Sequence, residues 1–154
     1  MTPIQATDEV VVPIPREKVW DLLSDIRGYS RWWPTSLELR ILSVGDDPVG
    51  VELEVNPARG RSFRCRIVSV EPPSRMRIQY FGGFIEGAGE WRLEQAASGT
   101  RLTYSIDVQA RGWLVALLSL VMNLGEMHSR LMRGVFENLS RILQEPLQSK
   151  QTHS

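Results

Sequence analysis

The spacing of apolar residues changes period twice along the chain. TDEVVV, residues 7–12, reads as a strand. In the following IPREKVWDLLSDI, Val19, Leu22, Leu23 and Ile26 fall at helical spacing, and Pro15 suits a first helical turn. Gly28 is expected to end or break that helix. YSRWW then supplies one further short turn, closed by Pro34. After Pro34 the period becomes two. Segments 36–44, 49–56, 62–71, 75–81, 84–94 and 101–109 each alternate in part. Val49, Val51, Leu53 and Val55 stand against Glu52 and Glu54. Leu102, Tyr104, Ile106 and Val108 stand against Thr103, Ser105 and Asp107. The turn signals GDDP, NPARG, EPPS, FGG and AASG separate them. Six strands on short turns predict an antiparallel meander, and the first strand makes seven.

Beyond Gly112 the helical period returns. Apolar residues recur at 117, 121, 124, 128, 131, 135, 139 and 142 when His128 is counted with them. This is the seam of one long amphipathic helix. Pro146 is expected to stop it, leaving residues 146–154 as a polar tail. No repeat or linker interrupts the pattern, so residues 1–154 are expected to form a single domain with its core in 7–145. A seven-stranded sheet must cover one face, and the long helix is the only large apolar cover available. A helix about 10 Å wide does not fill the concavity of a strongly twisted sheet. The pattern therefore predicts an α+β fold with a cavity between helix and sheet.

Composition narrows the partners. Of 154 residues, 42% are hydrophobic, enough for a real core. Lys plus Arg and Asp plus Glu number 18 each, so no net field draws nucleic acid or an anionic membrane. The single cysteine, Cys65, excludes an intrachain disulfide. MTPIQATDEV has neither the basic start nor the apolar run of a secretory signal, so a cytoplasmic location is expected. Two histidines and no CxxC argue against a metal site, and no cofactor is expected. WLVALLSLVM, residues 113–122, is apolar except for Ser119 but too short to span a bilayer. It either packs at the cavity mouth or exposes a patch for a membrane or protein contact. Both monomer and homodimer remain open.

These elements carry a resemblance. Strand, two short helices, six strands and a long helix resemble the START-like, or helix-grip, fold. VVVPIPREKVWDLLSDIRGYSRWWP resembles the N-terminal signature of the polyketide cyclase/dehydrase-like branch of the SRPBCC superfamily. VSVEPPSRMRIQY, EGAGEWRLEQAASGTRLTYSI and the closing FENLSRIL extend the similarity over roughly residues 7–145. The resemblance implies a seven-stranded antiparallel sheet wrapped around one long C-terminal helix. It also implies functions ranging from aromatase/cyclase to carriage of lipids, sterols or quinones. It implies no universal catalytic motif, and fold by itself does not give function.

Candidate site residues follow from the inward faces. Trp32 and Trp33 point in different directions within one turn, so one is expected in the core and the other in a pocket wall. Ile78, Tyr80, Trp91, Tyr104 and Ile106 fall on the helix-facing side, and buried phenol or indole groups need partners. Leu117, Val121, Leu124 and His128 would supply the helix side of the pocket. In SFRCRIVSV either Phe63, Cys65 and Ile67 face inward, or Arg64, Arg66, Val68 and Val70 do, and a bulge would switch faces midway. If Arg66 faces inward it is a candidate clamp for an enolate oxygen, as the resemblance to aromatic cyclases implies. Tyr104 and His128 are the other catalytic candidates. Glu126 is off His128's face of the helix, and Cys65 has no activating context. The expected function is binding of an apolar small molecule, such as a lipid, quinone, polyketide or aromatic metabolite. The alternatives are a cofactor-independent cyclase or dehydratase using that cavity, and an interaction protein docking through 113–122. A cavity below roughly 300 Å³ would favour the last of these.

Overall fold

Strand pairing follows chain order with one exception, and that exception shapes the molecule. In the computed structural model, which describes residues 2–34, 37–43, 47–57, 61–83, 85–112 and 124–151, seven strands form one antiparallel sheet. They are β1 (Thr2–Val12), β2 (Leu37–Ile41), β3 (Glu52–Pro57), β4 (Phe63–Glu71), β5 (Arg75–Phe81), β6 (Ile85–Ala96) and β7 (Gly99–Ala110). Their order is β1-β7-β6-β5-β4-β3-β2, so the first strand pairs with the last. Helix α1 (Arg16–Ser24) and a 3-10 turn (Ile26–Arg31) follow β1, and the long helix α2 (Leu124–Gln151) follows the sheet.

β2 ends at Ile41 rather than 44, and β3 begins at Glu52 rather than 49, leaving Val49 exposed. Four further departures from the periodicity each have a local reason. β1 begins at Thr2 rather than residue 7 because β7 templates it along its whole length, from Thr2 opposite Ala110 to Val12 opposite Thr100. As an edge strand it tolerates Pro3. α1 ends at Ser24, before Gly28. The Ser24 hydroxyl donates to the Trp20 carbonyl at 2.8 Å, and the Tyr29 hydroxyl donates to the Leu23 carbonyl. Side chains thus satisfy carbonyls that further helix would have used. Pro15 sits at the N-cap, where its carbonyl accepts from Lys18 and Val19. Finally, α2 continues through Pro146 to Gln151 instead of stopping there. A proline inside a helix forfeits one i→i−4 bond without ending it when the flanking turns hold.

Two close approaches lock the β1 and β7 ends. A Cβ at Gly99 would lie 2.1 Å from the Val12 carbonyl oxygen, at a φ of +150° that favours glycine. Next to it the buried Thr100 hydroxyl donates to the Ile14 carbonyl at 2.7 Å. The core lies between the inner sheet face and α2. Leu93, Leu102, Trp91 and Val108 meet Met132, Val135, Phe136 and Leu139 there, all buried. Val135, Leu139 and the half-buried Ile142 continue the predicted stripe.

Candidate functional site

Packing one helix on this sheet leaves a cavity of about 360 Å³. Its walls come from the inner face of all seven strands, from Met132 and Val135 of α2, and from Ile26, Tyr29 and Trp33 around the 3-10 turn. The adjacent tryptophans separate. Trp32 is 1% exposed and belongs to the core, whereas Trp33 lines the cavity. The turn that closes the 3-10 helix carries this split, with the Trp33 N–H bonding the Tyr29 carbonyl at 2.7 Å. That stacks the Tyr29 and Trp33 rings with centroids 5.9 Å apart.

Ile78, Tyr80, Trp91, Tyr104 and Ile106 all line the cavity. The hydroxyls of Tyr80 and Tyr104 bond each other. β6 runs between their strands, and Gly89 lies beneath the pair. A Cβ at Gly89 would stand 2.7 Å from the Tyr104 hydroxyl oxygen and 3.0 Å from the Tyr80 ring. The glycine is there for space. Trp91 tilts against Tyr104 at 4.5 Å between centroids, and Phe63 lies 5.9 Å from Tyr80. Aromatic neighbours therefore fix both phenols.

Burial governs the titration of the lining. It raises Tyr29, Tyr80 and Tyr104 above the usual phenol value and pushes the Cys65 thiol up to about 12. All four are neutral at physiological pH.

Strand β4 answers the alternation left open by SFRCRIVSV. Phe63, Cys65 and Ile67 face the cavity. Pairing then skips from Ile67 opposite Ile78 to Ser69 opposite Arg77. Val68 is the extra residue of a bulge and is 43% exposed, and beyond it Val70 returns to the core. Both parities therefore occur, on either side of the bulge. Arg66 is not a cavity residue. Its guanidinium donates to Glu52 from Nε at 3.0 Å and lies over the Phe81 ring on the outer face. Arg64, also outside, faces Glu54 at 4.0 Å. No enolate clamp forms from either arginine, because the bulge comes after them in the chain and not before.

His128 and Leu124 lie in α2, with their side chains outside the described residues. Leu117, Val121 and the whole 113–122 segment also lie outside them. Tyr29 and Met132 line the cavity without having been expected there, whereas Phe63 and Cys65 realise one of the two inward faces left open for β4. Tyr29 was detectable, since it precedes Trp33 by one helical turn. Met132 was detectable as the neighbour of the 131–135 stripe. Among the described residues no group of His, Cys, Asp and Glu is placed to hold a metal. Among them, too, no helix is long and apolar enough to cross a membrane.

Known proteins resemble this chain in both sequence and fold. The profile of the family described as polyketide cyclase / dehydrase and lipid transport matches residues 3–144. None of the curated proteins matches the chain in sequence. Among solved structures, a protein of Chromobacterium violaceum superposes with a TM-score of 0.67 at 16% identity, covering 93% of this chain and 97% of its own. Norcoclaurine synthase of Thalictrum, as a point mutant with a transition-state analogue, gives 0.69 at 14%, covering 94% and 96%. The di-domain ARO/CYC protein StfQ of the steffimycin pathway gives 0.74 at 11%. There the match covers 95% of this chain and 52% of StfQ, so this chain spans about half of that protein. At these identities the likeness is one of fold.

Proposed function

Since the chain belongs to the polyketide cyclase / dehydrase and lipid transport family, we propose that it binds an apolar small molecule in the cavity between α2 and the sheet. The observation that carries this reading is the cavity itself. At about 360 Å³ it falls in the range of small-molecule sites, and its walls are aromatic and aliphatic. Filling it with apolar surface stabilises the complex by roughly 25 cal/mol per Å² removed from water, before association costs. The volume also weighs against a purely docking role for 113–122.

The alternative is a cyclase- or dehydratase-type enzyme acting on a molecule in the same cavity, as the fold likeness to StfQ suggests. Such chemistry needs a proton donor or acceptor that titrates near neutrality. The titratable groups on the described wall are Tyr29, Cys65, Tyr80 and Tyr104, and burial moves each away from neutrality. The described wall thus favours holding over proton transfer.

Native mass spectrometry of the purified protein, followed by denaturing extraction, tests the proposal. A co-purified lipid, quinone or polyphenol is the expected result. An empty protein with no thermal shift across a panel of such compounds overturns it.

A further inference from the structure

We infer that two copies of this chain pair through the open edge of β2, joining their sheets across a two-fold axis at Leu39. The contact is separate from the binding role of the cavity.

The sheet ends at β1 on one side and β2 on the other. An edge strand presents unpaired backbone N–H and C=O groups, a template for a further strand. β2, LELRI, contains neither the proline nor the lysine that commonly blunts such an edge. Glu38, Arg40 and Ile41 are all exposed on it.

The register with β3 says which backbone groups face outward. The Leu42 N–H donates to the Glu52 carbonyl at 2.9 Å, and Ile41 stands opposite Leu53. In an antiparallel ladder successive residues turn their backbone groups to alternate sides. Glu38, Arg40 and Leu42 therefore face β3. Leu37, Leu39 and Ile41 direct their N–H and C=O groups to the open edge.

Charge then selects one register for a second copy. A two-fold axis at Leu39 sets Leu39 opposite the partner's Leu39, and Leu37 opposite the partner's Ile41. Every residue whose backbone groups face the edge thus meets another of the same kind, in pairs that exchange hydrogen bonds. On the outer face the same register sets Glu38 opposite the partner's Arg40, and Arg40 opposite the partner's Glu38. Among the described residues neither Glu38 nor Arg40 has an ion pair within its own chain. An axis at Glu38 would oppose two carboxylates, and one at Arg40 two guanidinium groups. Like charges directly opposite are destabilising. An axis between residues would set outward backbone groups against inward ones and break the ladder.

The inner face gains as well. Ile41 shares the cavity side of the sheet with Leu39 and Leu53, yet it is 38% exposed. Pairing brings the partner's Leu39 diagonally beside it, within side-chain reach.

Sedimentation equilibrium of the full chain, from micromolar to millimolar concentration, is expected to show reversible dimerisation. E38R and R40E each turn both cross-axis pairs into like charges, and each is expected to weaken the dimer about tenfold. E38R/R40E exchanges the two charges and is expected to return the dimer to within about twofold of wild type. Damage to the fold would not be reversed in this way. A chain that stays monomeric at millimolar concentration overturns the inference, even if the edge then takes a strand from another protein. A dimer indifferent to the single variants overturns it, and so does a double variant as weak as the singles. Should a variant fail to fold, amide exchange of wild-type protein decides. Exchange at Leu39 and Ile41 is expected to slow as concentration rises, while Glu38 and Arg40 stay constant. Exchange at Leu39 and Ile41 that ignores concentration overturns the pairing.

Discussion

The two faces of the sheet use the same strands for opposite purposes. On the inner face Trp91, Leu93, Leu102, Tyr104 and Met76 are buried and make contact through rings and chains. On the outer face charged side chains pair along and across strands, beside exposed apolar ones such as Val11. Glu90 is the clearest case, with Arg75 at 3.6 Å, Arg77 at 3.2 Å and Arg92 at 2.8 Å around one carboxylate. Arg66 with Glu52 and Arg111 with Glu86 repeat the pattern. Inner contacts are dry and cooperative, so losing one leaves a hole. Outer pairs stand in water, where solvent screens each attraction. Stability and the cavity therefore lie on one side of the sheet. The other side provides solubility and register.

The contrast is sharpest if one large inner ring is removed. Trp91→Ala is expected to destabilise the fold by about 3–5 kcal/mol, because the ring contacts both Tyr104 and Phe136 and the site collapses only in part. Urea unfolding measures it, and a loss below about 1 kcal/mol would break the distinction between faces. A smaller loss is expected where the inner side holds a single buried hydrogen bond. Thr100→Val strips the donor from the Ile14 carbonyl, for about 1–3 kcal/mol in the same assay.

The outer face should respond weakly even at its densest point. Glu90→Gln is expected to change stability by at most about 1 kcal/mol. Its pH dependence has a definite sign. Partial burial pulls the Glu90 pKa upward, but hydrogen bonds from Arg92 and Arg77 and the charge of Arg75 outweigh this and hold it below the ordinary value of 4.5. The group's contribution is therefore full above that ordinary value and lost as pH falls through the lower folded one. The wild-type and E90Q stability curves should converge at acid pH and separate above it. Smallest of all, Arg64→Ala removes a half-exposed partner at 4.0 Å from Glu54 and should stay within about 0.5 kcal/mol. Thermal denaturation of that variant should match wild type within a few degrees.

Much of this was legible in the chain. Period two marked the strands from β2 to β7, and the 135–139–142 stripe marked the buried side of α2, because burial on one face imposes the pattern directly. Trp32 and Trp33 were separable because adjacent residues on a helical turn diverge. The β4 segment was not legible. A bulge adds one residue without any required residue type, so Arg64–Arg66 and Val68–Val70 fit both parities until β5 fixed the register. The full length of β1 was hidden for a related reason. Thr2–Ala6 form a strand because β7 is there to pair with them, and TPIQA carries little strand signal of its own.

The sequence by itself determined the kinds and order of the elements and which side chains share a face, since these depend on neighbours a few residues apart. Only the tertiary structure decided what those faces enclose. Tyr80 and Tyr104 are 24 residues apart, and nothing local to either joins them. They meet because β6 runs between their strands with a glycine at the one position where a side chain would keep the phenols from settling against the sheet. A cavity is the volume that distant packed surfaces leave unfilled, and so it exists only once strand order, register and the seating of the long helix are set.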